Sequence, residues 1–144
     1  MIRTSEYADK AAVIELLRES HSAARFPFAF CPDSAAALFE YHHKLTNAVI
    51  LLKEAQGTPV GILMAVVSPH PFGAGLWARE TVWFVSEQAR GTGAIKMLRS
   101  YEEWAASLGC NAVSMATLTS NDVSPIYERL GYAEAETHFV KYLK

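Results

Sequence analysis

Only two cysteines occur among the 144 residues, Cys31 and Cys110, far apart and in no C-x-x-C pair, which excludes a thiolate zinc site and a disulfide framework. A reducing, cytoplasmic setting is the expectation. Charge of one sign is equally scarce. Lys plus Arg number 13 against 15 Asp plus Glu, a net charge of −2, so no bulk positive field exists for phosphate backbones and nucleic acid is not an expected partner. Long hydrophobic runs are missing too: the longest after Gly61 is Ile62 to Val67, far below the ~20 residues of a membrane-crossing helix. A membrane is therefore no expected partner, and Met1 to Glu6, without an apolar signal core, gives no expectation of export. His42 and His43 are adjacent on a helix, point apart and read as solvent-facing, so no metal is expected.

Apolar types, at 51% against 19% charged, suffice for the core of one folded α/β domain spanning residues 1–144. Val13, Ile14 and Leu17 recur at helical spacing within Asp9 to Glu19. The stretch 21–33, with two prolines and alternating Phe26, Phe28 and Phe30, reads as a loop before a second helix that starts at Asp33 or Ser34 and ends near Asn47. Val49–Lys53 and Val60–Val67 form a hairpin, the Pro- and Gly-rich 68–75 an exposed loop, and 76–86 a third strand. A helical stripe follows over 94–108, with Gly109 as its C-cap glycine. Then come a buried strand at 112–118, a short helix at 124–130 stopped by Gly131, and a final strand at 137–143.

Chemistry concentrates in Trp83-Phe84-Val85-Ser86-Glu87-Gln88-Ala89-Arg90-Gly91-Thr92-Gly93-Ala94, which runs strand, glycine turn, helix. Amides of such a turn and the unpaired first-turn donors of the helix form an anion cradle suited to a pyrophosphate. A P-loop is excluded because Gly93 is followed by Ala94-Ile95, and a dinucleotide fingerprint because Lys96 stands at the third glycine position.

Gln88-Ala89-Arg90-Gly91-Thr92-Gly93 resembles the acetyl-CoA signature Q/R-x-x-G-x-G/A of the GNAT superfamily of N-acetyltransferases. In the longer register V-x-P-x-x-R-G-x-G-x-G, Val85, Arg90, Gly91 and Gly93 match, with Glu87 in the proline's place and Ile95 at the last small residue. Ile126-Tyr127-Glu128-Arg129-Leu130-Gly131-Tyr132 resembles the family's Y-E-x-L-G-F/Y segment, and Ile2-Arg3 with Ile14-Glu15-Leu16-Leu17 its first strand and helix. The resemblance implies a mixed, mostly antiparallel sheet flanked by helices, with a parallel, splayed central strand pair, 76–86 and 112–118. It also implies that acetyl-CoA is the cosubstrate. Phe84 and Val85 would contact the pantetheine arm through their backbone, and Gln88, Arg90, Gly91, Thr92, Gly93, Ala94 and Ile95 would form the cofactor loop.

Acetyl transfer to an amine needs a neutral nucleophile, a stabilised oxyanion and a proton for the leaving thiolate. By the resemblance Tyr127 both contacts the cofactor and protonates the thiolate, which suits a phenol of ordinary pKa about 10; the alternative is a ring that only packs beneath the last helix. An amine of pKa near 10 is about 99.9% protonated at pH 7, so a base or a depressed amine pKa must account for about 4 kcal/mol of the barrier. Glu80, on the cofactor strand, is the candidate base, against a charged residue on an exposed face or one paired near Arg79. Asn121 stands six positions before Tyr127 where family members place a pantetheine-binding asparagine at seven, and otherwise reads as a helix N-cap with Asp122.

The acceptor site is expected between loop 21–33 with helix two and loop 68–75. Phe26, Phe28 and Phe30 would wall one side, or else cover one end of the core, and His70 and Phe72 would wall the other. Such an aromatic lining argues against a polycationic acceptor. Neither cysteine has a neighbour to lower its pKa, so direct transfer to a primary amine in a ternary complex is expected over an acyl-cysteine. The alternative function is a catalytically silent acyl-CoA-binding sensor or assembly module, and a homodimer stays open.

Overall fold

A computed structural model describes residues 1–73 and 75–144, with the backbone but not the side chain of Thr92. The elements in chain order are β1 (Ile2–Thr4), α1 (Lys10–Ala24), α2 (Pro32–Lys44), β2 (Ala48–Ala55), β3 (Thr58–Pro69), β4 (Leu76–Val85), α3 (Thr92–Ser107), β5 (Ala112–Ser114) and α4 (Ser124–Arg129). One mixed sheet of order β1-β2-β3-β4-β5 results, antiparallel except for the parallel pair β4–β5.

Local chemistry explains the turns. Gln56 and Gly57 both take positive φ, 53° and 78°, and join the paired Ala55 and Thr58 in the two-residue hairpin that matches strand twist. Helix α1 runs past the expected end to Ala24 and closes on Arg25 in the left-handed region, so the loop expected at 21–33 shrinks to 25–31. Gly109 and Gly131, both at positive φ, follow α3 and α4 as expected.

Helices cover both faces of the sheet, which is why β3 reads as a continuous apolar run. Ile62 and Met64 pack with Val13, Leu16, Leu17 and Phe39 of α1 and α2. Leu63, Ala65 and Val67 pack on the other face with Met97, Leu98, Tyr101 and Ala105 of α3. Full burial of each larger side chain stabilises the fold by roughly 1.5–3 kcal/mol.

An irregularity in β4 positions the site. Met64 pairs with Val82 and Ala65 with Glu80, which leaves Thr81 as an extra residue, a β-bulge. The bulge reverses the alternation of faces. Ala78 packs toward α3, yet beyond the bulge Trp83 and Val85 occupy that face while Val82 and Phe84 pack toward α1 and α2. The β4–β5 ladder stops at Arg79–Ser114, just before the bulge, and the two strands part there.

Two expectations are corrected. The strand expected at 112–118 is paired only over Ala112–Ser114, and the one expected at 137–143 does not form, so the parallel pair lies at the sheet's edge instead of its centre. Strand propensity needs a partner edge, and β5 offers only three residues of ladder. Phe139 stays 93% exposed.

Candidate active site

A cavity of about 270 Å³ opens where β4 and β5 part, with Glu80, Thr81, Trp83, Ala116, Asn121 and Tyr127 among its lining residues. Ser20, Ala24 and Phe26 close it from the α1 side. The register thus brings Glu80 and Tyr127, 47 positions apart in the chain, to one pocket.

Glu80 Oε1 accepts the Ala116 N–H at 3.0 Å. Burial, against the opposing effect of that hydrogen bond, pushes the Glu80 carboxyl up to about 7, and among the described residues no cation pairs with it. Arg79, its sequence neighbour, lies over the Trp77 ring instead. Tyr127 is 7% exposed, and its hydroxyl donates to the Ala116 carbonyl at 2.6 Å. Burial first, then the charge of Glu80, holds its phenol well above the ordinary tyrosine range, so it stays protonated at neutral pH. Trp83 packs its ring 5.8 Å from that of Tyr127, and its buried indole Nε1 has no hydrogen-bond partner among the described residues.

The loop beyond β4 shows why two glycines are present. Gly91 caps α3 at φ 141° and ψ −145°, a conformation open to glycine almost alone, although a Cβ there would meet nothing within 4 Å. Gly93 is the converse. Its φ is ordinary, but a Cβ would collide with Lys53 Cε. Lys53 reaches across from β2 and donates from Nζ to the Ala89 carbonyl at 3.0 Å. Sequence reasoning missed this cation beside the start of α3, because its strand lies far from the loop in the chain. Arg90 turns back onto β4, its Nε donating to the Val85 carbonyl at 3.0 Å and its guanidinium 6.0 Å from the Phe84 ring centre. Ala94 and Ile95 lie half-buried in the first turn of α3, and the Thr92 side chain lies outside the described residues. Gln88 is exposed on a short 3₁₀ turn and faces a separate groove with Glu15 and Glu19 of α1.

Asn121 lines the pocket and does not cap α4, whose N-cap is Val123; Asp122 Oδ1 accepts the N–H of Ser124, the first residue of that helix, at 2.9 Å. Of the aromatic residues, Phe26 lines the pocket, Phe28 stacks on Phe26 at 5.1 Å, and Phe30 packs against the core beneath α1 and α2. His70 and Phe72 do not line this pocket: His70 lies 4.5 Å from the Trp77 ring, and Phe72 is 93% exposed.

The histidine expectation is corrected. His43 is exposed, but His42 is 3% exposed, because the turn of about 100° between neighbours on a helix carries one inward when the other faces out.

The chain matches the model of the acetyltransferase (GNAT) family over residues 11–132. It belongs to that family. Among curated proteins none matches the sequence. Three solved structures show the family fold across nearly the whole chain. A transcriptional regulator from Bacillus halodurans is 20% identical with a TM-score of 0.83, 99% of each chain being covered. A predicted acetyltransferase with acetyl-CoA from Clostridium acetobutylicum is 14% identical at 0.81, covering 99% of this chain and 96% of that one. An aminoglycoside antibiotic 6'-N-acetyltransferase from Acinetobacter haemolyticus is 18% identical at 0.76, covering 100% and 99%. The α/β sheet with its parallel, parting pair is thus the architecture of the GNAT family.

Proposed function

We propose that the protein transfers the acetyl group of acetyl-CoA directly to a primary amine of a small molecule, peptide or protein, in a ternary complex. The observation that carries this reading is the meeting of Glu80 and Tyr127 in one pocket where the parallel strands part. A carboxyl poised near 7 suits a base working at neutral pH, and a phenol protected from ionisation suits an acid.

Glu80, directly or through one water, takes the proton from the amine nitrogen. As the carbon–nitrogen bond forms and the carbon–sulfur bond breaks, the Tyr127 hydroxyl releases its proton from the Ala116 carbonyl to the leaving sulfur. The proton on Glu80 passes through solvent to the Tyr127 phenolate, which restores both groups, and the products are the acetamide and the free thiol.

The loop supports the cofactor assignment. The positive end of α3 and the Lys53 ammonium lie together at the glycine turn, which favours a diphosphate there, although the Ala94 N–H already donates to the Gly91 carbonyl at 3.1 Å. Phe84 and Val85 border the parting strand edge, although Arg90 already occupies the Val85 carbonyl. The acceptor is placed against Phe26 and Trp83, with Phe28 supporting Phe26.

The test is thiol release from acetyl-CoA with a panel of benzylamine, spermidine, kanamycin and two peptides, one with a free N-terminal alanine and one with a single lysine. Turnover on at least one amine is expected. Thermal stabilisation by coenzyme A without turnover on any would favour a silent acyl-CoA-binding module and overturn the proposal.

A further inference from the structure

One polar pair in the pocket wall is not used by this mechanism. Thr81, the bulge residue of β4, is exposed in the cavity beside Glu80, and its Oγ1 lies 2.8 Å from Nε2 of the buried His42 of α2. The opposite ring nitrogen, Nδ1, lies 3.0 Å from the Leu38 carbonyl one turn earlier in the same helix.

These two contacts determine where every proton sits. A carbonyl oxygen can only accept, so Nδ1 carries the hydrogen and donates to Leu38. Burial holds the imidazole neutral, lowering its pKa, and Nε2 is then a bare lone pair that can only accept. The Thr81 hydroxyl must donate to it. Its proton is thereby turned into the protein, and its oxygen shows only lone pairs to the cavity.

We propose that His42 is a positioning residue that fixes the Thr81 hydroxyl as a hydrogen-bond acceptor for an N–H of the acceptor amine. The inference rests on the acetyltransferase reading above and deepens it. A neutral primary amine has one lone pair and two N–H groups. With the lone pair directed at the thioester carbon, one N–H is directed to Glu80 and the other to Thr81. Strand alternation turns the consecutive residues 80 and 81 to opposite faces of β4, Glu80 toward Ala116 and Thr81 toward His42, and the bulge leaves Thr81 without a partner in the β3–β4 ladder. A secondary amine has a single N–H and leaves one of the two acceptors unpaired in a partly desolvated pocket, so the pair selects for primary amines.

The test has a spectroscopic arm and a kinetic arm. Long-range ¹⁵N–¹H correlation spectra of the wild-type protein should show His42 as the Nδ1–H tautomer; the Nε2–H tautomer would overturn the proposal. In kinetics with the fastest amine of the panel, Thr81→Val should raise the KM for the amine about tenfold, with kcat and the KM for acetyl-CoA within about twofold of wild type, as loss of uniform binding requires. Thr81→Ser should return the KM to within threefold. The preference for that amine over its N-methyl counterpart should fall about tenfold in Thr81→Val. An active wild type with an unaltered Thr81→Val would sink this inference alone, whereas a wild type inactive on every amine would remove the acetyltransferase reading and this inference with it.

Discussion

Glu80 and Tyr127 are held by the same residue: the Ala116 N–H donates to the Glu80 carboxylate at 3.0 Å, and the Ala116 carbonyl accepts the Tyr127 hydroxyl at 2.6 Å. One peptide segment just beyond β5 therefore sets the distance between the proposed base and the proposed acid. It can do so because the β4–β5 ladder has ended at Ser114, which leaves the backbone of Ala116 free to bond side chains.

Removal of the Tyr127 hydroxyl tests the acid. Tyr127→Phe keeps the ring packed beside Trp83 but cannot protonate sulfur. The expected result is a fall in kcat of about a hundredfold with little change in the KM for acetyl-CoA, measured by thiol release. Equal turnover in the two proteins would leave Tyr127 with packing alone.

The Glu80 carboxyl, raised to about 7, makes a prediction for rate. Its basic form predominates above that pH, so kcat/KM for the amine should climb through pH 7 in the wild type. Glu80→Gln should lose that limb and about two orders of magnitude of rate at pH 8. A pH–rate profile retained in the variant removes Glu80 from the mechanism.

The same group has a consequence for stability. Between its ordinary value of 4.5 and about 7 the folded chain binds a proton that the unfolded chain has released, so stability falls as pH rises across that window and is level above it. Glu80→Gln carries no such penalty. It should melt on the order of 10 °C above wild type at pH 8 and level with it near pH 4, as scanning calorimetry at the two pH values would show.

The two loop glycines should fail for different reasons. Gly91→Ala forces a side chain into a glycine-only conformation and should cost about 1–3 kcal/mol of stability in denaturant unfolding. Gly93→Ala meets only the flexible end of Lys53, so it should leave stability nearly unchanged while pushing the ammonium off the Ala89 carbonyl and weakening coenzyme A binding several-fold by calorimetry. In a Lys53→Ala background the Gly93 substitution should have no further effect on that affinity, because the displaced group is already gone.

The strongest signals in the chain are local ones. Turns are decided by the few residues that tolerate them, so the Gln56–Gly57 hairpin and the glycines after α3 and α4 stand where their positive φ values require them. The stripe of Leu98, Tyr101 and Ala105 buries as its spacing demands. The terminal strand failed because residues 137–143 carry propensity without specifying an edge to pair with. His42 was misread because periodicity weighs apolar residues, whereas its burial is made tolerable by two hydrogen bonds, one from outside its helix.

By itself, then, the chain determined its helices, the hairpin and the strand before the glycine loop, the loop itself and the types of residue available for acid–base work, since all of these follow from contacts between near neighbours. Tertiary structure alone decided that the ladder should stop beside Thr81, that Lys53 should stand over Gly93, and that Ala116 should join Glu80 to Tyr127. The reason is physical: strand register and side-chain meetings across the fold depend on how both faces of the sheet are packed at once, and no local stretch of residues contains that information.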